Sequence, residues 1–161
     1  MVYSSVYSNG FSKTAKRPAD SGEARGNRRH LLILAESQVL ATQVVAPAFR
    51  SRGWDVEGTE GIADALKLVE MRRYDLIIMQ VMQPGADGFA MCEALRQHSH
   101  SPILLIVSPS ARTDIIQGFR RGADAYVSEP FDMRELLVRA EALVRRSEGR
   151  VSKSTSGVGP P

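Results

Sequence analysis

Four polar residues stand at or just beyond the ends of short apolar runs, where a parallel sheet would gather them. Glu36 follows Leu31-Leu32-Ile33-Leu34-Ala35, and Gln80 closes Asp75-Leu76-Ile77-Ile78-Met79. Ser108 follows Pro102-Ile103-Leu104-Leu105-Ile106-Val107, and Glu129 follows Ala123-Asp124-Ala125-Tyr126-Val127-Ser128. Two carboxylates, an amide and a hydroxyl can hydrogen-bond one another or hold a small polar or cationic ligand. Glu36, Glu129 and the Gln80 carbonyl would also offer oxygens to a cation, although all-protein Mg²⁺ cages are rare. If the two carboxylates lie close, repulsion favours protonation of one. An amide at residue 80 is uncharged, a poor nucleophile, and unable to form an acyl phosphate. His98 and His100 sit in Arg96-Gln97-His98-Ser99-His100, without a Cys or acidic neighbour, and read as a helix-to-strand loop. Cys92 lies on an apolar helix face and reads as a small core residue rather than a reactive thiol.

Alternating apolar runs and amphipathic stretches must position these groups. Strands are expected at 31–35, 54–58, 75–80, 102–107 and 123–127. Helices are expected at 38–51, 62–72, 88–97 and 112–121, the last ending at Gly122 as a C′ glycine. Pro47 falls inside the first helix, where an interior proline costs about 3 kcal/mol, so a kink is expected there. A final helix runs from the Asp132 cap to Arg146, with Glu135 placed for reciprocal capping. Five nearly continuous apolar strands, each followed by a helix, imply a parallel sheet covered on both faces. In such sheets ligands sit beyond the carboxyl ends of the strands, which directs attention to Ala35, Glu36, Gln80, Val107, Ser108 and Glu129.

The chain has 161 residues, enough for one domain with a substantial core. No apolar run approaches the roughly 18 residues of a membrane span, and the N-terminus has no apolar signal core. The single Cys92 excludes an internal disulfide framework, and a reducing, cytoplasmic setting is expected. Six Lys/Arg against two acids give residues 1–30 a net charge of +4, while the remainder carries −1. The basic balance therefore lives in the leader, and no nucleic-acid surface on the body follows from it. Residues 1–29 read as a disordered basic extension, 30–146 as the domain, and 147–161 as a flexible linker or tail.

Several motifs occur in order: Pro84-Gly85-Ala86-Asp87-Gly88, Pro102, Gly122-Ala123-Asp124-Ala125-Tyr126, and Glu129-Pro130-Phe131-Asp132. Together they resemble the receiver domain of bacterial response regulators over about residues 31–146. The resemblance implies a flavodoxin-like (βα)5 three-layer sandwich with parallel sheet order 2-1-3-4-5. It also implies a phosphorylation site whose parts are missing. The family's phosphoacceptor aspartate is Gln80, and its acidic pair after the first strand is Ala35 and Glu36. Its Ser/Thr after the fourth strand is Val107, with Ser108 one place late, and its Lys is Glu129. Mg²⁺ binding is expected to be weak or absent, with no catalytic residue and no cofactor.

Tyr126 matches the family's switch aromatic, left without a phosphoryl group to drive it. Family members often signal through the face of helix four, strand five and helix five. Here that face offers Arg120, Arg121, Asp124, Glu135, Arg139, Glu141 and Arg145, whose mixed signs suit a twofold dimer. The implied function is a phosphorylation-independent regulatory and dimerisation module of a transcription regulator, with a DNA-binding domain beyond this chain. The alternative is a stand-alone pseudo-receiver that binds a protein partner or a small ligand. A phosphotransfer intermediate using Ser108 or Asp87 ranks last.

Overall fold

A computed structural model describes residues 28–37, 39–82 and 86–156. Residues 1–27, 38, 83–85, including Pro84 and Gly85 of the motif, and 157–161, together with the side chain of Asp87, lie outside the described part. Five strands, β1 His30–Leu34, β2 Asp55–Thr59, β3 Leu76–Val81, β4 Ile103–Val107 and β5 Ala125–Ser128, form one parallel sheet. Its order is β2-β1-β3-β4-β5, as the resemblance implies. Leu31 pairs with both Val56 and Leu76, Gln80 with Ile106, and Val107 with both Val81 and Ser128. This register brings the carboxyl ends of β3, β4 and β5 level with one another.

The first helical stretch departs from expectation. A π-helix, Val39–Val45, precedes a short α-helix, α1 Ala46–Arg50, with Pro47 in its first turn. Proline lacks an N–H, and its ring clashes with the carbonyl four residues back in a regular helix interior. Restarting the helix at Ala46 places Pro47 where no intrahelical N–H bond is needed. The expected kink is thus a change of helix type. The turn that follows closes through Gly53, at φ +84°, before the buried Trp54.

On one face of the sheet the π-helix, α1 and α5 (Met133–Ser156) cover Leu31, Ile33, Leu76, Ile78, Leu104 and Ile106. The opposite face carries α2 Ile62–Met71, α3 Ala86–His98, and a 3₁₀ turn, Pro109–Asp114, leading into α4 Ile115–Arg120. These pack over Leu32, Leu34, Ile77, Met79, Ile103 and Leu105. Both faces of every central strand are apolar because both are covered. Each fully buried Leu or Ile contributes about 1.5–3 kcal/mol. Gly118 lets α4 approach: a Cβ there would lie 2.8 Å from Leu105 and 2.9 Å from Phe89. Cys92 is fully buried in this layer, and burial pushes its thiol up to about 11, so it is an inert core residue.

Two further differences concern the last helix. Asp132 caps it by accepting the Arg134 N–H at 2.8 Å, but Glu135 pairs with Arg139 at 3.2 Å instead of reaching back. The helix also continues through Ser156 rather than ending at Arg146, so residues 147–156 are helical.

Polar networks stitch the amino end of the sheet. Arg96 donates to the carbonyls of Gly122 and Ser101 and to Asp124, whose carboxylate also accepts the Ile103 N–H. Gly122 sits at φ +114°, a conformation that glycine adopts without a Cβ penalty. Glu57 accepts from Arg72 and, at 2.8 Å, from the buried Tyr74 hydroxyl. Burial, with the Glu57 hydrogen bond adding to it, pushes the Tyr74 phenol well above its ordinary range.

Candidate functional site

The carboxyl ends of the strands converge around Gln80, which is only 5% exposed. Its side chain bonds two loops. The Ser37 backbone N–H donates to Gln80 Oε1 at 3.1 Å, and Gln80 Nε2 donates to Glu129 Oε1 at 3.1 Å. The amide orientation is dictated by its neighbours: a backbone donor needs the oxygen, and a carboxylate needs the NH₂. One side chain on β3 therefore bridges the loop after β1 to the loop after β5. A carboxylate at residue 80 could accept from Ser37 but could not donate to Glu129.

Ser37 extends this chain of bonds. Its hydroxyl accepts the Leu40 N–H at 3.3 Å, and its carbonyl accepts the Ala41 N–H at 3.1 Å. It thus starts the π-helix while its own N–H holds Gln80. Sequence reasoning passed over Ser37, although a Ser between a strand and a helix is a helix-start signature. The expected acidic pair supplies a single carboxylate. Ala35 is buried within the core, Glu36 lies on an exposed bend, and Ser37 rather than Ala35 meets Gln80. Residue 35 lies on the same face of the sheet as Leu31 and Ile33.

Val107 is fully buried and supplies no hydroxyl; its carbonyl accepts the Glu129 N–H at 2.8 Å. Ser108 does not join Gln80. Its hydroxyl donates to the Met82 carbonyl, as does Ser110 at 3.0 Å, and its N–H donates to the Val81 carbonyl at 3.0 Å. These bonds fasten the end of β4 to the end of β3. Of the four polar residues expected to converge, Gln80 and Glu129 bond directly, Ser108 closes a neighbouring clamp, and Glu36 stays at the rim.

These residues do not fit the family's Mg²⁺ site. Hard cations of this kind need several oxygen ligands. Here an amide whose oxygen already accepts the Ser37 N–H replaces one carboxylate, and the buried Ala35 replaces another. Among the described residues no group of three or more His, Cys, Asp or Glu is placed to hold a metal ion. His98 lies 3.6 Å from Glu70, on the opposite end of the sheet from Gln80.

The anticipated dimer face is partly committed within the chain. Asp124 is held by Arg96 and the Ile103 N–H, Arg121 lies 3.3 Å from Glu93, and Arg139 pairs with Glu135. Tyr126 packs edge-on against Phe119, with ring centroids 5.7 Å apart. Apolar side chains are exposed on this side: Ile116 and Phe119 on α4, and Val138 on α5.

A family model described as a response regulator receiver domain matches residues 32–141. The transcriptional activator protein PfeR of Pseudomonas aeruginosa is 36% identical over 71% of this chain and 38% of its own length. The DNA-binding response regulator MtrA of Mycolicibacterium smegmatis is 31% identical over 80% of this chain and 56% of its own. The chain thus spans about half the length, or less, of such relatives. The crystal structure of the receiver domain of TorR, a TMAO respiratory system response regulator, superposes with a TM-score of 0.66. It is 31% identical and covers 73% of this chain and 98% of its own.

Proposed function

The chain belongs to the response-regulator receiver family, and we propose that it acts in two-component-type regulation without accepting a phosphoryl group. One observation carries this reading: the amide of Gln80 is buried, with its oxygen on Ser37 and its nitrogen on Glu129. The residue at the phosphoacceptor place is a structural bridge. It has no nucleophilic oxygen, and the anionic Glu129 stands where a cation would stabilise a transferred phosphoryl group. In this reading Ala35, Glu36, Gln80, Val107 and Glu129 mark a dismantled phosphorylation site, and the Ser37 backbone holds the amide in it. The protein is a cytoplasmic, non-enzymatic regulatory module, and its longer relatives support membership of a transcription regulator with a DNA-binding domain.

The test is incubation of the full chain with acetyl phosphate and Mg²⁺, followed by intact mass measurement. No phosphoryl adduct is expected. A stoichiometric adduct on wild-type protein would overturn the proposal.

The output surface in this reading is the α4–β5–α5 face, used for self-association. Exposed Ile116, Phe119 and Val138 supply the apolar part, and Arg120, Glu141 and Arg145 remain for intersubunit pairing. Tyr126, edge-on to Phe119, has no phosphoryl group to move it. A twofold dimer buries the same patch twice, so one substitution acts twice. Ile116→Asp is expected to weaken dimerisation at least about tenfold, because a carboxylate desolvated at an apolar interface is costly. Sedimentation of the wild type and variant checks this. A wild-type monomer at high concentration would instead favour a stand-alone module that binds another protein or a small ligand.

A further inference from the structure

A second set of contacts lies at the amino end of the sheet, away from Gln80. Arg29 is anchored there by its backbone, whose carbonyl accepts the Asp55 N–H at 2.9 Å. Its guanidinium lies over the Trp54 ring, 5.6 Å from the centroid, and its Nη2 lies 3.4 Å from Glu148 Oε1. Trp54 is itself buried and edge-on to Phe49 at 5.3 Å. Glu148 belongs to the outer part of α5. The family match ends at residue 141, and the buried residues of α5 end at Val144. Past Val144, no described side chain of α5 is buried.

We infer that Arg29 is a latch that ties the outer part of α5 to the amino edge of the sheet and sets the direction of that helix. A core stripe fixes α5 as far as Val144. Beyond it a solvent-exposed helix frays easily, because most helical stability comes from packing. An exposed ion pair alone would do little to hold it, since ordering two long side chains offsets the attraction. Arg29 differs in that its backbone is already pinned beside β2 and its guanidinium already rests on an aromatic face. Less freedom remains to be lost when it meets Glu148. The latch joins the residue just before β1 to a helix segment that lies past the family's matched region. Any change in the leader that displaces Arg29 would therefore be felt in the outer turns of α5.

Amide hydrogen exchange on the full 161-residue chain tests this. In Arg29→Glu, amides at 147–150 are expected to exchange about five- to tenfold faster, the scale of one exposed ion pair plus one cation–π contact. Amides of β3 and of Leu136–Leu143 should keep their wild-type rates. The double variant Arg29→Glu with Glu148→Arg should recover part of the lost protection, because it restores the pair but not the stacking. Unchanged exchange at 147–150 in the single variant overturns the latch. So does a double variant no better protected than Arg29→Glu, or a rise in exchange spread evenly over the whole domain.

Discussion

Reverting four positions together, Ala35→Asp, Gln80→Asp, Val107→Thr and Glu129→Lys, is expected to give a protein that acetyl phosphate and Mg²⁺ phosphorylate. Gln80→Asp alone is expected to stay unmodified. The single change restores a nucleophile but leaves three deficits. Ala35 is a buried methyl with no carboxylate to offer, so Mg²⁺ gains only an incomplete carboxylate set. Val107 is buried and offers no hydroxyl, and Glu129 presents negative charge to an incoming anion. Loss of one electrostatic donor in a preorganised site costs about 10²–10³ in rate. Three absent or reversed partners place Gln80→Asp below detection on the time scale of ordinary phosphotransfer. Intact mass of the two variants, treated in parallel, checks the prediction. A stoichiometric adduct on Gln80→Asp would show that the surrounding substitutions do not disable the site.

The second large effect is on stability. Gln80→Glu keeps shape and volume but exchanges the NH₂ that donates to Glu129 for a carboxylate oxygen. Two carboxylate oxygens about 3.1 Å apart repel by roughly 5 kcal/mol at an effective dielectric of 20. Glu129 is only half-buried and can turn towards solvent, so a net loss of about 2–4 kcal/mol at neutral pH is expected. The pH dependence follows from the direction of the shift. Burial and the adjacent carboxylate raise the folded pKa of the introduced Glu above its unfolded value near 4.3. The deficit is therefore small below about pH 4.3 and grows as pH rises through the raised folded pKa. In the neutral form the added carboxyl again carries a donor for Glu129. Urea unfolding of the wild type and Gln80→Glu across this range measures the difference. A deficit independent of pH would mean that the bridge contributes through packing alone.

The amino-acid sequence determined the sheet and the chemistry lost from it. Apolar runs of strand length had to be buried on both faces, and their spacing required intervening helices. Strand ends differed from expectation by a residue or so because hydrogen-bond pairing, not hydrophobicity, closes a strand. An amide at residue 80 cannot be phosphorylated as an aspartate can, whatever surrounds it, so that conclusion needed no coordinates. Tertiary structure decided which groups meet that amide. The partner of Gln80 Oε1 is the backbone N–H of Ser37, and a backbone donor carries no residue identity to read. Parity along β1 placed Ala35 in the core with Leu31 and Ile33. Asp124 was expected among the charges offered to a dimer partner, but folding placed it between Arg96 and the start of β4. The length of α5 was likewise illegible: Ser147 to Ser156 lack a strong apolar stripe, and Arg29, far away in sequence, contributes to holding the helix there. Local periodicity records what a segment must bury; only the folded chain records which distant polar group completes it.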